Sequence, residues 1–282
     1  MPLKDILVHL DTTPQSAERL RLAATLARQH DAHLIGLHVV DVILPAIALA
    51  DGGGGGAMVG QLLDQMREDA LKTATGVETA FREHIRREGI AGEWRLVEGV
   101  LPEQAALHAR YADLAVIGQP DPESGPPGAG QVVEQVLFSA GRPVLIVPYA
   151  GTFERVGQQV LVGWNASREA ARAVNDALPI LEKAAKVTVL AVNPDRVAGA
   201  HGAEPGADIA LHLARHGVRA EVDHLTAPSV PDGGALLNRA AELAPDLLVI
   251  GAYGHSRLRE MVLGGVTRTL LQQMTVPVLM SH

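Results

Sequence analysis

The chain has no cysteine in its 282 residues. That excludes disulfides, thiolate catalysis and cysteine-held zinc or iron–sulfur centres, and it agrees with a reducing compartment. Aromatic residues are scarce: two Trp, three Tyr and three Phe leave few rings on which bases could stack. Positive charge is short too. With 24 Lys and Arg against 32 Asp and Glu, the formal net charge of −8 argues against the basic face that a nucleic-acid backbone requires. The longest apolar run, Val42 to Ala50, falls far below the ~20 residues of a membrane-spanning helix. Met1-Pro2-Leu3-Lys4-Asp5 leads straight into an apolar run, without signal-peptide architecture. The expectation is a cytoplasmic protein that binds neither nucleic acid nor membrane.

Aliphatic residues fill the gap. A composition 47% hydrophobic and 20% charged is that of a folded chain with a packed core, and the length suits about two domains. The acidity is lopsided: residues 1–151 carry 12 basic and 19 acidic side chains, residues 152–282 carry 12 and 13.

The chain repeats itself. Asp113-Leu114-Ala115-Val116-Ile117-Gly118 matches Asp246-Leu247-Leu248-Val249-Ile250-Gly251, and Arg142-Pro143-Val144-Leu145-Ile146-Val147 matches Val276-Pro277-Val278-Leu279-Met280-Ser281. Ile6-Leu7-Val8-His9-Leu10-Asp11 parallels Val160-Leu161-Val162-Gly163-Trp164-Asn165. The boundary falls near Tyr149 to Gly157, giving domains 1–150 and 157–282. The first half predicts strands 5–10, 32–40, 93–98, 114–118 and 143–147, with helices 15–30, 61–88, 102–111 and 131–140. The second predicts strands 159–163, 186–192, 219–225, 247–251 and 277–281, with helices 168–184, 207–216, 230–243 and 266–274. Short apolar runs such as Leu247-Leu248-Val249-Ile250 read as strands buried on both faces of a parallel sheet. Each copy is thus a five-stranded, doubly wound, Rossmann-like α/β domain. Ligands of such sheets sit beyond the carboxyl ends of the strands, where strand order reverses.

At that place the second copy carries Gly251-Ala252-Tyr253-Gly254-His255-Ser256-Arg257-Leu258-Arg259, then Glu260-Met261-Val262-Leu263-Gly264-Gly265-Val266-Thr267. Glycines let backbone N–H groups approach an anion, and a helix starting near Gly265 adds its dipole and unpaired donors. His255, Arg257 and Arg259 supply positive or polarisable groups.

The spacing Gly251-x2-Gly254-x9-Gly264, with the strand-first order and the closing Pro277-Val278-Leu279 strand, resembles the universal stress protein family in its tandem two-domain form. The resemblance spans essentially the whole chain. It implies an adenine nucleotide alpha hydrolase-like fold, a stress-response or regulatory role, and ATP or a related adenine nucleotide, with Mg²⁺, in the second domain. Carried over, Gly251, Gly254, His255, Gly264, Gly265 and Val266 hold phosphates, with Thr267 nearby, while Asn165 and Val192 hold the nucleoside. Two positions depart from the family. Gly265 stands where Ser or Thr usually follows the third glycine, and Asn165 takes the place of the usual Asp. The resemblance also implies a pseudo-dimer of the two copies through their last strands, and a homodimer of chains.

The first copy reads Gln119-Pro120-Asp121-Pro122-Glu123-Ser124-Gly125-Pro126-Pro127-Gly128-Ala129-Gly130 after its fourth strand. Asp121 replaces Gly254, Gln131 replaces Gly265, and prolines remove backbone donors. Asp11-Thr12-Thr13 keeps the nucleoside-type acid. One reading is a single competent site, in the second copy; the other gives the first copy a different, less anionic ligand. The extra segment Asp51-Gly52-Gly53-Gly54-Gly55-Gly56-Ala57-Met58-Val59-Gly60 lacks a Walker lysine and reads as a flexible connection. With Val42 to Leu49 before it, a greasy flap over a partner is the alternative.

Histidines cluster at His9, His30, His33 and His38, and at His201, His212, His216 and His224. His212 and His216 share a helix face, but no third ligand is placed, so solvated surface histidines are expected rather than a metal site. No Gly-x-Ser-x-Gly elbow occurs, and Ser139, Ser167 and Ser256 have no identified base. No catalytic residue can be named. A binding protein is the reading; a slow ATPase or autokinase rests on analogy alone, and the rival is a protein-interaction module with vestigial sites.

Overall fold

The computed structural model describes residues 2–41, 56–123, 129–196, 204–252 and 265–282. In the first copy β1 (Asp5–His9), α1 (Gln15–His30), β2 (His33–Val40), α2 (Gly56–Glu88) and β3 (Gly92–Glu98) precede α3 (Leu101–Ala109), β4 (Leu114–Gly118), α4 (Ala129–Ser139) and β5 (Val144–Val147). The second runs β6 (Gln159–Gly163), α5 (Arg168–Leu181), β7 (Lys186–Val192), α6 (Ala207–Arg215) and β8 (Ala220–Leu225). It closes with α7 (Asp232–Leu243), β9 (Leu247–Gly251), α8 (Gly265–Gln273) and β10 (Val278–Ser281). The readings for 42–55 lie outside the described residues.

The strands form one ten-stranded sheet in the order β3-β2-β1-β4-β5-β10-β9-β6-β7-β8. Pairing is parallel within each copy. At the seam β5 and β10 run antiparallel, with Leu145 opposite Leu279. The last strands therefore join the copies, as the resemblance implied, and the two carboxyl edges point in opposite directions. Central strands such as β4, β5 and β9 are buried along nearly their whole length, which only a sheet covered on both faces provides. The edge strands β3 and β8 alternate instead, exposing Glu93, Glu98, Glu221 and His224.

The buried face of α1 runs through Ser16, Arg19, Leu20, Ala23, Ala27 and His30, the stripe a 3.6-residue period produces. In α5 the same stripe reads Ala170, Ala173, Val174, Ala177 and Leu181. That helix stops three residues short of the expected Ala184, because Lys183 and Ala184 bond back only three residues, to the Ile180 and Leu181 carbonyls. Helix α7 starts two residues later than expected because Pro231, extended at ψ 140°, immediately precedes it.

The repeated Asp before the fourth strand has a structural role. Asp113 Oδ2 accepts from the Lys4 and Asp5 amides at 2.7 and 3.1 Å, and Asp246 Oδ1 accepts from Gln158 and Gln159 at 2.9 and 3.1 Å. In each copy this carboxylate takes up amide donors at the start of the first strand. Burial outweighs those bonds at Asp246 and raises its pKa.

Candidate functional site

In the second copy strand order reverses between β6 and β9. The pairs Gly163–Leu190 and Gly163–Ile250 set β7 and β9 on either side of β6, so Asn165, Val192 and Gly251 share one carboxyl edge. Gly265 and Val266 open α8, the next described element after β9. Gly254, His255 and Gly264 lie outside the described residues. Gly251 must be a glycine: a Cβ there would stand 2.4 Å from the Ala170 nitrogen. Gly265 is exposed, and a Cβ there would meet nothing within 4 Å. Thr267 departs from the expectation. It is 2% exposed, because it lies on the inward stripe of α8 with Leu270, so its hydroxyl is not presented beside Gly265.

The Asp-to-Asn replacement keeps its local geometry. Asn165 Oδ1 accepts from the Ser167 amide and hydroxyl at 3.2 and 2.7 Å, while Asp11 Oδ1 accepts from the Thr13 amide at 2.9 Å. Both fold back on the residue two further along, an Asx turn. Ser167 then caps α5 by accepting from the Ala170 amide at 3.2 Å. Asn165 is exposed, and its amide nitrogen has no protein acceptor among the described residues.

Beyond Val192 the chain turns through Asn193, at φ 46°. The Asn193 side chain accepts from the Ala227 amide (2.7 Å) and donates to Asp232 (2.6 Å), tying the exit of β7 to the start of α7. In the first copy Asp41 does the same work, accepting from the Leu101 amide at 2.9 Å. Their shared place one residue past the second strand was the available signal, and the motif reading missed it.

The first copy's switch point, between β1 and β4, is filled by its own side chains. Arg19, 4% exposed, donates from Nε to the His9 carbonyl (3.1 Å) and pairs with Asp11 at 2.5 Å. Its Nη1 stands 2.3 Å from where a Cβ on Gly118 would be, so Gly118 makes room for the guanidinium. His38 Nδ1 donates to the Leu10 carbonyl at 2.7 Å, and its ring stacks on Trp94. Burial, then Arg19, pushes His9 down to about 4. Burial alone would raise Asp11, but Arg19, His9 and the Thr13 bonds outweigh it and hold that carboxyl low. The strand registers equate His9, Arg19 and His38 with Gly163, Ala173 and Ala191 of the second copy. An imidazole, a guanidinium and a second imidazole thus face a bare backbone and two methyls. A charged residue on the apolar stripe of α1 was the sequence signal for this plug.

These burials correct the expectation of solvated histidines: His9, His30 and His38 are 6–8% exposed, because each lies on an inward face of its strand or helix. The His212 and His216 rings do meet, at 4.7 Å between centroids and tilted by 56°. Among the described residues no group of three His, Cys, Asp or Glu is arranged to hold a metal, and no helix is long and apolar enough to cross a membrane. Asp121 Oδ1 accepts from the Glu123 amide (2.9 Å), so the first copy's loop turns on a carboxylate where the second has Gly254.

Fold and edge together define a tandem, doubly wound α/β protein with a strand-order reversal at each of two opposed carboxyl edges. The Universal stress protein family model matches residues 2–148 and again 157–282, and the chain belongs to that family. A universal stress protein of Methanocaldococcus jannaschii is 28% identical over 151 residues, 51% of this chain and 81% of its own. One from Synechocystis sp. is 28% identical over 157 residues, 53% of this chain and 50% of its own. The crystal structure of a universal stress protein from Archaeoglobus fulgidus shares the fold over 98% of this chain and 97% of its own, at TM-score 0.71 and 17% identity.

Proposed function

We propose that this universal stress protein binds one ATP, or a related adenine nucleotide, in its second copy and none in its first. The supporting observation is the contrast at matched positions: Gly163, Ala173 and Ala191 leave the second crevice without the groups that His9, Arg19 and His38 put into the first. Asn165 keeps an amide donor without an acceptor among the described residues, suited to a ribose or base edge, and Gly265 leaves open space at a helix N-terminus, where phosphate oxygens are favoured. Mg²⁺ then enters with the phosphates, since such ions are held by few protein ligands and several phosphate oxygens. The regulatory role, the cytoplasmic location and a homodimer of chains belong to the same reading. The seam already uses β5 and β10, so a homodimer forms through another surface.

Calorimetric titration with ATP and Mg²⁺ tests this. One equivalent per chain is expected, lost in Gly254→Asp and retained in Gly130→Asp, whose site in the first copy has open space around it. Absence of binding, two equivalents, or equal loss in both variants refutes the proposal.

A further inference from the structure

Helix α2 is 33 residues long, whereas α6, which connects the same strands in the second copy, has nine. The extra length gives the first copy a wall without a counterpart among the second copy's described residues. Between α1 and α2, open at the β1–α1 turn, lies a groove of about 440 Å³. Leu20 and Ala17 of α1 form one side, and Gly76, Val77 and Ala80 of α2 the other. At one end stands Asp11, at the other His84 and Arg87. Gly76 and Arg87 are eleven helical steps apart, so that wall is about 16 Å long at ~1.5 Å per residue.

The charges of this groove do not cancel. Asp11 is already paired with Arg19, and Glu88 beside Arg87 is paired with Arg28 at 2.6 Å. Burial holds the His84 imidazole below its ordinary value, hence neutral near pH 7. Arg87 makes no ion pair among the described residues and is exposed at the groove's end. A mainly apolar trough, with Thr12, Thr13, Ser16 and Thr73 also lining it and a guanidinium unpaired among the described residues at its end, complements a long apolar chain closed by one carboxylate.

We propose that this groove binds an elongated amphipathic carboxylate, its chain along Leu20 and Val77 and its head group on Arg87. The ligand is distinct in chemistry and place from a nucleotide in the second copy. Gly76 supplies a clean test, because a Cβ there meets nothing within 4 Å and a leucine would fill the trough rather than strain the helix. Glycine is a poor helix former, so Gly76→Leu is expected to keep or raise the melting temperature.

The probe is decanoate, titrated calorimetrically against the full chain, with decylamine as the charge-reversed control. Saturable binding of one equivalent is expected, with decylamine weaker by about tenfold or more. Gly76→Leu should weaken decanoate at least tenfold at undiminished melting temperature, and Arg87→Gln about tenfold while leaving decylamine no weaker. No saturable binding, equal affinity for decylamine, or wild-type affinity in Gly76→Leu overturns the proposal. ATP titration of the same variants keeps this outcome separate from that of the nucleotide reading.

Discussion

Acidification should weaken this fold through buried imidazoles, among which His9 can be isolated by one substitution. His9 is buried at the end of β1, beside the Arg19 guanidinium, and titrates at about 4 rather than 6.5. Between those values the unfolded chain binds a proton that the folded chain refuses, so stability rises with pH across this window. At neutral pH both states are uncharged at this residue and nothing is lost. As pH falls to about 5 the penalty reaches about 2 kcal/mol, and near pH 4 about 3 kcal/mol, at ~1.36 kcal/mol per unit. The measurement is urea unfolding followed by circular dichroism at about pH 7 and about pH 5, on the wild type and on His9→Leu. Other histidines held low by burial, His30 and His84 among them, contribute equally to both proteins and cancel in the comparison. The variant should therefore lose about 2 kcal/mol less than the wild type over that interval. Matching losses would refute the burial argument, as would an NMR titration in which the His9 ring protonates near 6.5.

Arg19→Ala should destabilise the first copy by about 3 kcal/mol, since it leaves Asp11 without its cation and a void beside Gly118; chemical denaturation measures it, and a neutral result would mean the pair contributes nothing. Gly265→Ser places a hydroxyl in open space at the first position of α8, so ATP binding should tighten several-fold without loss of stability, as calorimetry and melting would show. Asp246→Ala orphans the amides of Gln158 and Gln159 at the start of β6 and should cost about 2 kcal/mol, with faster amide exchange at those two residues.

The fold was legible because its signals are redundant. Runs such as Leu247 to Ile250 state burial on both faces, and the same order of elements occurs twice. Where elements end was less legible: the bonds of Lys183 and Ala184 that close α5 depend on local geometry that periodicity does not encode. The candidate site divides the same way. Gly251 is a glycine for a steric reason visible only when α5 is in place, against the Ala170 nitrogen. Thr267 looked available because sequence distance from Gly265 is short, yet two residues along a helix is about half a turn, and it faces the sheet. The plug at Arg19 needed two long-range facts, the approach of Gly118 and the buried stripe of α1, of which the sequence offered only the second.

The antiparallel seam gives the first copy's carboxyl edge a structural use. Gln119 follows β4 where Ala252 follows β9, and both amides bond to the last strand, to Val147 and Ser281 respectively. At Ala252 the chain goes on into the glycine loop. At Gln119 the side chain turns across the seam instead, donating from Nε2 to the Leu271 carbonyl at 2.7 Å and accepting from the Tyr149 amide at 3.2 Å. Leu271 lies in the last turn of α8, where carbonyls lack partners within the helix. The first copy's carboxyl edge thus anchors the far end of the helix whose first residue is Gly265. Duplication made this division feasible: one edge keeps open space at a helix N-terminus, while its twin, filled by His9, Arg19 and His38, fixes the other end of that helix. Gln119→Ala should consequently loosen α8 from its C-terminal end, and amide exchange at Met274 and its neighbours would register the change before any effect at Gly265.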